Sequence, residues 1–441
     1  MQFRIIIKGL FFTTYIKKWL SNCQRDDLFN IRYIILWFMV SIYPLIVIPH
    51  PFYISFFNGV LVPPGYFYLP RYVVLALVAL ITLIILIKDR VQVNNTVFIP
   101  LFLFIIFIII SSFNAPVQIT AWVGSPYRFT GASTYFFCII LFILASTISL
   151  EKSEMLIRSM LVTGAIVSIL ALLQYFNINL VPHEANREGL ISYGTMPHPN
   201  FLGTYTSFLL PAAVLFFVRL QKKSSLVLAV LVYIGLLVSL CRGTWLASLA
   251  GVIIIAFYVW KKPNHKRNFF FVLLIFIAII MVLLPLREST LLDKIFSISG
   301  EVAKGVNMNQ QAGTYRLFIW GHVIKLLPHF WAFGIGPDSL IYAVLKTPIN
   351  EIADKAHNIY LEIAVTMGVF AMASYLAFLS FFLTKWKNEI GFTLFVMTAV
   401  YLIQGFSSID VVPIMPLFWI VLGLSLASRK EPATITADLK E

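Results

Sequence analysis

The stretch AHNIYLEIAVTMGVFA, residues 356–371, sets a histidine and an asparagine at the mouth of an apolar run. Polar groups at such a threshold cost free energy unless they are hydrogen-bonded or paired. An imidazole with a pKa near ~6–7 can take a proton from a hydroxyl at neutral pH, which makes His357 a candidate general base. The competing reading is a hydrogen-bonded structural histidine. Glu362 lies about a turn and a half deeper, off the His357 face at 3.6 residues per turn, and is expected to pair elsewhere.

Several arginines fall at similar thresholds. Arg242 stands in LVSLCRGTWLA, between two apolar runs with almost no loop, and Arg316 opens the amphipathic stretch TYRLFIWGHVIKLLPHF. Arg128 sits in GSPYRFTGAS, Arg187 in PHEANREGL and His198 in YGTMPHPNFLGTY. A guanidinium stays charged and donates paired hydrogen bonds, so it suits phosphate. For Arg128 and Arg187 a snorkelling interface anchor is an equal reading, whereas the tight turn at Arg242 leaves little room to reach headgroups. Trp320 and Trp331 have the character of aromatic-belt residues.

Other chemistries lack their residues. No D-x-D, H-x-x-x-H or H-E-x-x-H occurs, so no metal site is expected. The phosphate-binding loop G-x-x-x-x-G-K-[ST] and the nucleophile elbow G-x-S-x-G are also missing. Cys23, Cys138 and Cys241 have no metal-ligand spacing. A coupled transporter usually carries carboxylates near the membrane midplane. Here only Glu362 and Asp410 approach spans, both near one end. What remains is a cluster of arginines with one histidine. That set can stabilise a diphosphate leaving group and activate a hydroxyl without a metal or other cofactor.

The elements that hold these residues are membrane helices. Sixty per cent of the residues are hydrophobic and 12% charged, with a mean hydropathy of +0.89. A soluble chain of this size carries roughly twice that share of charge. The composition predicts an all-α polytopic membrane protein, with windows of about 20 apolar residues giving about 12 transmembrane helices. They centre near 31–49, 71–88, 97–114, 135–150, 156–176, 199–220, 225–241, 243–260, 269–287, 357–383, 390–408 and 411–428. Basic residues in the short connections KDR, QKKSS and KKPNHKR put those loops and both termini on the cytoplasmic side. All the candidate site residues then face outward.

The expected organisation has five parts. Residues 1–30 form a basic, amphipathic interfacial segment on the cytoplasmic leaflet. Residues 31–287 hold spans 1–9, and 288–356 form a long extracytoplasmic catalytic loop. Residues 357–428 hold spans 10–12, and 429–441 are a cytoplasmic tail. A loop of that length is usually functional. Leu317, Trp320, Ile324 and Leu327 recur at helical spacing within it, predicting a helical cap between spans 9 and 10.

Three pieces carry a resemblance to a known family: YGTMPHPNFLGTYTSFLLP, LVSLCRGTWLA, and YRLFIW…LLPHFWAFGIGPDSL…AHNIYLEIAVTMGVF. The third is the most specific, joining the G-x-G turn, the H-N-x-Y-L opening and Gly368 in order. Over residues 120–425 the chain resembles the O-antigen ligase superfamily. That superfamily also holds Wzy-type polysaccharide polymerases and some protein O-oligosaccharyltransferases. The resemblance implies a glycosyltransferase on the outer face of the bacterial plasma membrane, serving lipopolysaccharide or other surface-polysaccharide biosynthesis. Its donor would be an undecaprenyl-diphosphate-linked oligosaccharide, and its acceptor a glycan or lipid-linked glycan. Membrane lipid is its other partner, and nucleic acid is not one. Arg242 and Arg316 would hold the diphosphate, with Asn358, Arg128, Arg187 and His198 as further substrate-binding positions, and His357 would activate the acceptor hydroxyl. Cys241 precedes Arg242 where serine is common, but the arginine itself is present. A protein hydroxyl as acceptor, or a lipid-linked glycan flippase using the same basic cavity, are the alternative readings.

Overall fold

The computed structural model describes residues 31–49, 54–57, 60–62, 65–92, 96–182, 192–286, 293, 297, 300, 312–344, 354–384 and 386–429. The expected interfacial segment 1–30, most of 288–311, and all but the first residue of the 429–441 tail lie outside those residues, as does Arg187.

A helix stands at each stretch where hydropathy predicts one. The first nine expected spans correspond to α1 (Ile31–Leu45), α2 (Leu69–Lys88), α3 (Phe98–Phe113), α5 (Ala132–Ala145), α6 (Leu150–Tyr175), α7 (Pro199–Leu220), α8 (Lys223–Val238), α9 (Arg242–Trp260) and α10 (Pro263–Leu283). A short helix, α4 (Gln118–Val123), precedes α5. Beyond lie α11 (Ala312–Phe330), α12 (Leu340–Val344), α13 (Ile359–Thr366), α14 (Val369–Ser380), α15 (Glu389–Gly405) and α16 (Met415–Ala427). Among the described residues, five helices are long and apolar enough to cross a bilayer by themselves: α2, α6, α7, α9 and α10. The others are shorter apolar helices. The helical expectation needs one addition. A small antiparallel hairpin, β1 (Ile54–Phe57) with β2 (Val60–Val62), follows α1, pairing Ile54 with Val62 and Phe57 with Val60.

At the centre is α7, predominantly apolar and buried along its whole apolar length, with Thr204, Thr206 and Ser207 enclosed as well. It packs against α6, α8, α9 and α15. A second packing centre joins α5, α14 and α16 around Trp419, whose ring stacks on Phe378 at 5.4 Å and meets Phe142 edge-on at 6.2 Å. The outer helices turn apolar stripes outward, such as Leu77, Leu80, Ile84 and Ile87 on α2. Such stripes are what a lipid-facing surface requires.

One cation is buried in this packing. Arg71, in the first turn of α2, is wholly enclosed and donates to the carbonyl oxygens of Tyr43, Pro44, Phe67 and Thr195. Hydrogen bonds to a charged donor contribute about 1.5–3 kcal/mol each, enough in number to offset much of its desolvation. Thr195 Oγ1 also donates to the Pro44 carbonyl at 2.6 Å, so the segment before α7 is tied directly to the end of α1 and, through Arg71, to α2.

The expected tenth span, 357–383, is not one helix. It is broken between α13 and α14 at Met367–Gly368, and the segment Trp331–Gly336 lies across the break. The carbonyls that α13 leaves open are taken up there. Ile335 N donates to Val365 O, Gly336 N and Ser111 Oγ donate to Thr366 O, and Val369 N donates to Trp331 O at 2.7 Å. Gly368 has φ +91°, and a Cβ there would meet the Ala332 carbonyl oxygen at 2.2 Å. Only glycine permits that conformation and that approach together.

Of the expected cap, the described part contains two helices, α11 and α12, and has its own apolar cluster. Ile319, Val323, Leu340, Val344, Ala356 and Val365 are buried together, joining α11 and α12 to α13. The buried face of α11 is rotated from the expected one: Ile319 and Val323 are enclosed, while Ile324 is 53% exposed. Trp320 is not a free belt residue, since its Nε1 donates to Ala356 O at 3.0 Å. Trp331 is exposed, as a belt residue would be.

Candidate active site

The segments before α5, α7, α9 and α13 meet α11 and the end of α15 around one cavity of about 210 Å³. Arg128 enters from the loop between α4 and α5, Arg316 from α11, and His357 from the segment just before α13. His198, Asn200 and Phe201 come from the start of α7, and Cys241 from the residue capping α9. Gln404, Ser407 and Ser408 close the wall from the end of α15. Three helices, α7, α9 and α13, thus begin at this cavity. Their first-turn N–H groups and dipoles give it a positive potential beyond that of its side chains.

His357 precedes the helix and adopts a left-handed backbone, φ +50°. The turn is set by its neighbour: Asn358 caps α13, its Oδ1 accepting from Tyr360 N and Leu361 N, both at 3.0 Å. Asn358, expected as a substrate-binding residue, is therefore engaged as an N-cap and lies off the cavity wall. Burial and the Arg128 and Arg316 guanidiniums push the His357 pKa down, outweighing the upward pull of Asp354, to about 4. This is below the ~6–7 that the residue type alone suggests. At neutral pH His357 carries no charge, so its lone pair is open to a proton, and the lowered pKa makes it a weaker base until a bound anion offsets the two arginines.

A frame of ion pairs holds this segment. Arg128 makes a forked contact with Asp354, Nε to Oδ2 at 2.9 Å and Nη2 to Oδ1 at 2.8 Å. Burial alone would raise the Asp354 carboxyl, but Arg128 outweighs it and holds it at about 2. Lys355 is buried between Asp338 at 2.5 Å and Glu362 at 3.0 Å, and its pKa is raised by the pair despite burial. Asp338 also accepts from Ser125 N and Thr130 N, and Glu362 from Ala356 N at 2.8 Å. Glu362 therefore pairs away from His357, as its helical position predicts. Lys355 and its two carboxylates are buried as well as paired, so losing one would leave an uncompensated buried charge.

The other expected residues divide. Arg316 and Arg128 share the cavity with His357. His198 also reaches it, while capping α7: its Nδ1 accepts from Asn200 N at 3.1 Å, which places the ring proton on Nε2. Arg242, the first residue of α9, is not part of the wall; its Nη1 donates to Ser297 Oγ at 2.9 Å, while Cys241 beside it does line the cavity. Reading the sequence did not find Gln404, Asn200, Ser407, Ser408 or the Asp338–Lys355–Asp354 frame. For the frame a signal existed: Asp354 and Lys355 immediately precede AHN, two charges at the threshold of an apolar run. Among the described residues no group of three or more His, Cys, Asp or Glu is placed to hold a metal ion.

Beside the cavity runs an apolar groove of about 560 Å³ between α14 and α15, lined by Tyr360, Met372, Leu376, Leu379, Leu402 and Phe406. Phe406 lines the groove and the next residue, Ser407, lines the cavity. The Tyr360 and Phe406 rings stand 4.7 Å apart at that junction.

Residues 226–376 match a family model described as O-antigen ligase. That stretch holds Arg242, Arg316 and His357, and leaves Arg128, His198 and Gln404 outside it. No curated protein matches the chain.

Proposed function

We propose that this chain, a multi-pass membrane protein of the O-antigen ligase superfamily, transfers a glycan from undecaprenyl diphosphate to a hydroxyl of an acceptor glycan. The observation that carries the reading is the meeting of Arg316 with an uncharged His357 in one cavity. The acceptor oxygen attacks the sugar carbon bonded to the diphosphate. His357 takes the proton from that hydroxyl as the new glycosidic bond forms. The bond to the diphosphate breaks, and the electron pair leaves with undecaprenyl diphosphate. Arg316, in the cavity wall, stabilises the charge that builds on this leaving group, and Arg242, which follows Cys241 of the wall, joins it by exchanging Ser297 Oγ for a phosphate oxygen. Arg128, bound to Asp354, contributes its field, and the converging helix starts add to it.

The apolar groove beside Tyr360 and Phe406 offers the polyprenyl chain a surface that reaches the cavity's edge. In this reading the molecule has twelve spans, with α13 and α14 together forming the tenth. Both termini are cytoplasmic, and residues 288–356 cap an outward-facing site. The acceptor is either a lipid A–core sugar, as in ligation, or a second lipid-linked repeat, as in polymerisation.

The test is reconstitution. Purified protein in liposomes receives a fluorescent undecaprenyl-diphosphate glycan and, in separate reactions, each acceptor. Extended glycan and free undecaprenyl diphosphate are expected in equal amounts with one acceptor. Movement of the labelled lipid across the bilayer with its sugar–phosphate bond intact would make the protein a transporter instead.

A further inference from the structure

The cavity wall carries two kinds of polar group. Arg128, Arg316 and His357 suit an anion and a proton transfer, but the contribution of α15 is neutral. Its most enclosed member is Gln404, 3% exposed, in the last turn of the helix. Gln404 Nε2 donates to Thr204 Oγ1 of α7 at 2.8 Å. Thr204 Oγ1 spends its single proton on Asn200 O at 2.9 Å, so toward Gln404 it can only accept. That fixes which way the amide is turned. Oε1 is the end left over; among the described residues it has no hydrogen-bond partner, and it is enclosed, so a ligand meets it as the Gln404 side chain shifts toward the cavity that the residue lines. A buried acceptor in that state costs free energy that a donor on a ligand would recover.

The chemistry of Oε1 narrows what that ligand group is. A carbonyl oxygen accepts and never donates, so it gains nothing from an ionised phosphate and is repelled by it. A sugar hydroxyl satisfies it. Resting on the glycosyltransferase reading above, we propose that Gln404 Oε1 accepts a hydrogen bond from the first sugar of the donor, which makes Gln404 a specificity-determining residue. The arginines hold the diphosphate, and Gln404 reads what is attached to it.

Gln404 also ties α15 to α7, so a packing role must be separated from a reading role. Two lipids serve as probes: bare undecaprenyl diphosphate, and undecaprenyl diphosphate carrying one N-acetylglucosamine. Their dissociation constants are measured with full-length protein in nanodiscs. Wild type is expected to bind the sugar-bearing lipid about tenfold more tightly than the bare one, the size of one hydrogen bond to an otherwise unsatisfied group. Gln404→Met should bring that ratio close to one while leaving affinity for bare lipid unchanged. Thr204→Val removes the same interhelical bond from the other side yet keeps Oε1, and should retain most of the preference. A Gln404→Met protein that still prefers the sugar-bearing lipid overturns the assignment. So does an equal weakening of both lipids by both variants, which would mean packing alone. Wild type that binds both lipids equally removes the Gln404 role only. Wild type that binds neither removes the glycosyltransferase reading with it.

Discussion

His357 owes its state to what surrounds it, and that state has a measurable signature. A general base works in its neutral form, so activity falls on the acid side as the imidazole protonates. With the free protein holding His357 at about 4, kcat/KM should stay level from pH 8 to about 5 and drop only near pH 4. Once a diphosphate sits beside Arg316, its negative charge offsets the arginine's push, so the acid limb of kcat should lie at higher pH than that of kcat/KM. An acid limb of kcat/KM at the ordinary histidine value of about 6.5 would count against this environment. His357→Gln keeps a hydrogen-bonding side chain without the basicity, and should lower turnover roughly 10²–10⁴-fold with donor affinity preserved. For Arg316→Lys the loss should be on the order of 2–4 kcal/mol in transition-state stabilisation, read as kcat/KM, because an ammonium cannot make the paired contacts. The structure puts these two side chains at one cavity, and that they stand at one mouth was readable from residue type and position. Their setting was not, because Asp338 meets Thr130 across 208 residues and Arg128 meets Asp354 across 226, and such pairings leave no local pattern.

At the scale of elements, the break between α13 and α14 is what turns a membrane helix into a support for the site. Hydropathy reads 357–383 as one continuous span, because a window average does not register a single glycine within an apolar run. The motif FGIGPDSL and Gly368 were both visible in the sequence, but not that one lies across the other. Gly368→Ala should cost more than about 1–3 kcal/mol, since it adds a strained backbone to a clash with the Ala332 carbonyl. A lower Tm in detergent and reduced turnover are expected together. Gly321→Ala, on α11, is the contrast: a Cβ there meets nothing within 4 Å. Helix propensity alone then favours alanine by about 0.5–1 kcal/mol, so Tm should hold or rise. Equal losses in both variants would mean that general sensitivity of the protein to substitution, and not the break, sets the outcome. The rotated face of α11 has a related cause. Its apolar residues surround much of the helix, and which of them are buried depends on where α12 and α13 lie.

For the whole molecule, helix placement was legible because lipid leaves the backbone few alternatives to helix. The lengths were less so, since shorter helices such as α5 and α16 are enclosed by neighbours that share the apolar thickness. If arginines take the place of a cation, purified protein should turn over equally with and without excess chelator; a loss restored by magnesium or manganese would overturn that. Arg71 points to the order in which the chain assembles. Three of its four carbonyl partners, from Tyr43, Pro44 and Phe67, are synthesised before it, but Thr195 follows 124 residues later. At 5–20 residues per second, the ribosome takes roughly 6–25 s to supply it. During that interval α1 and α2 are in the bilayer with the guanidinium incompletely enclosed. With Pro44→Cys, nascent chains arrested before residue 192 should therefore react with an added thiol reagent, whereas chains arrested well beyond residue 220 should protect that position, which is buried in the finished protein. Arrival of the segment before α7 completes the enclosure of Arg71, so the first pair of helices is finished only when the middle of the chain is made.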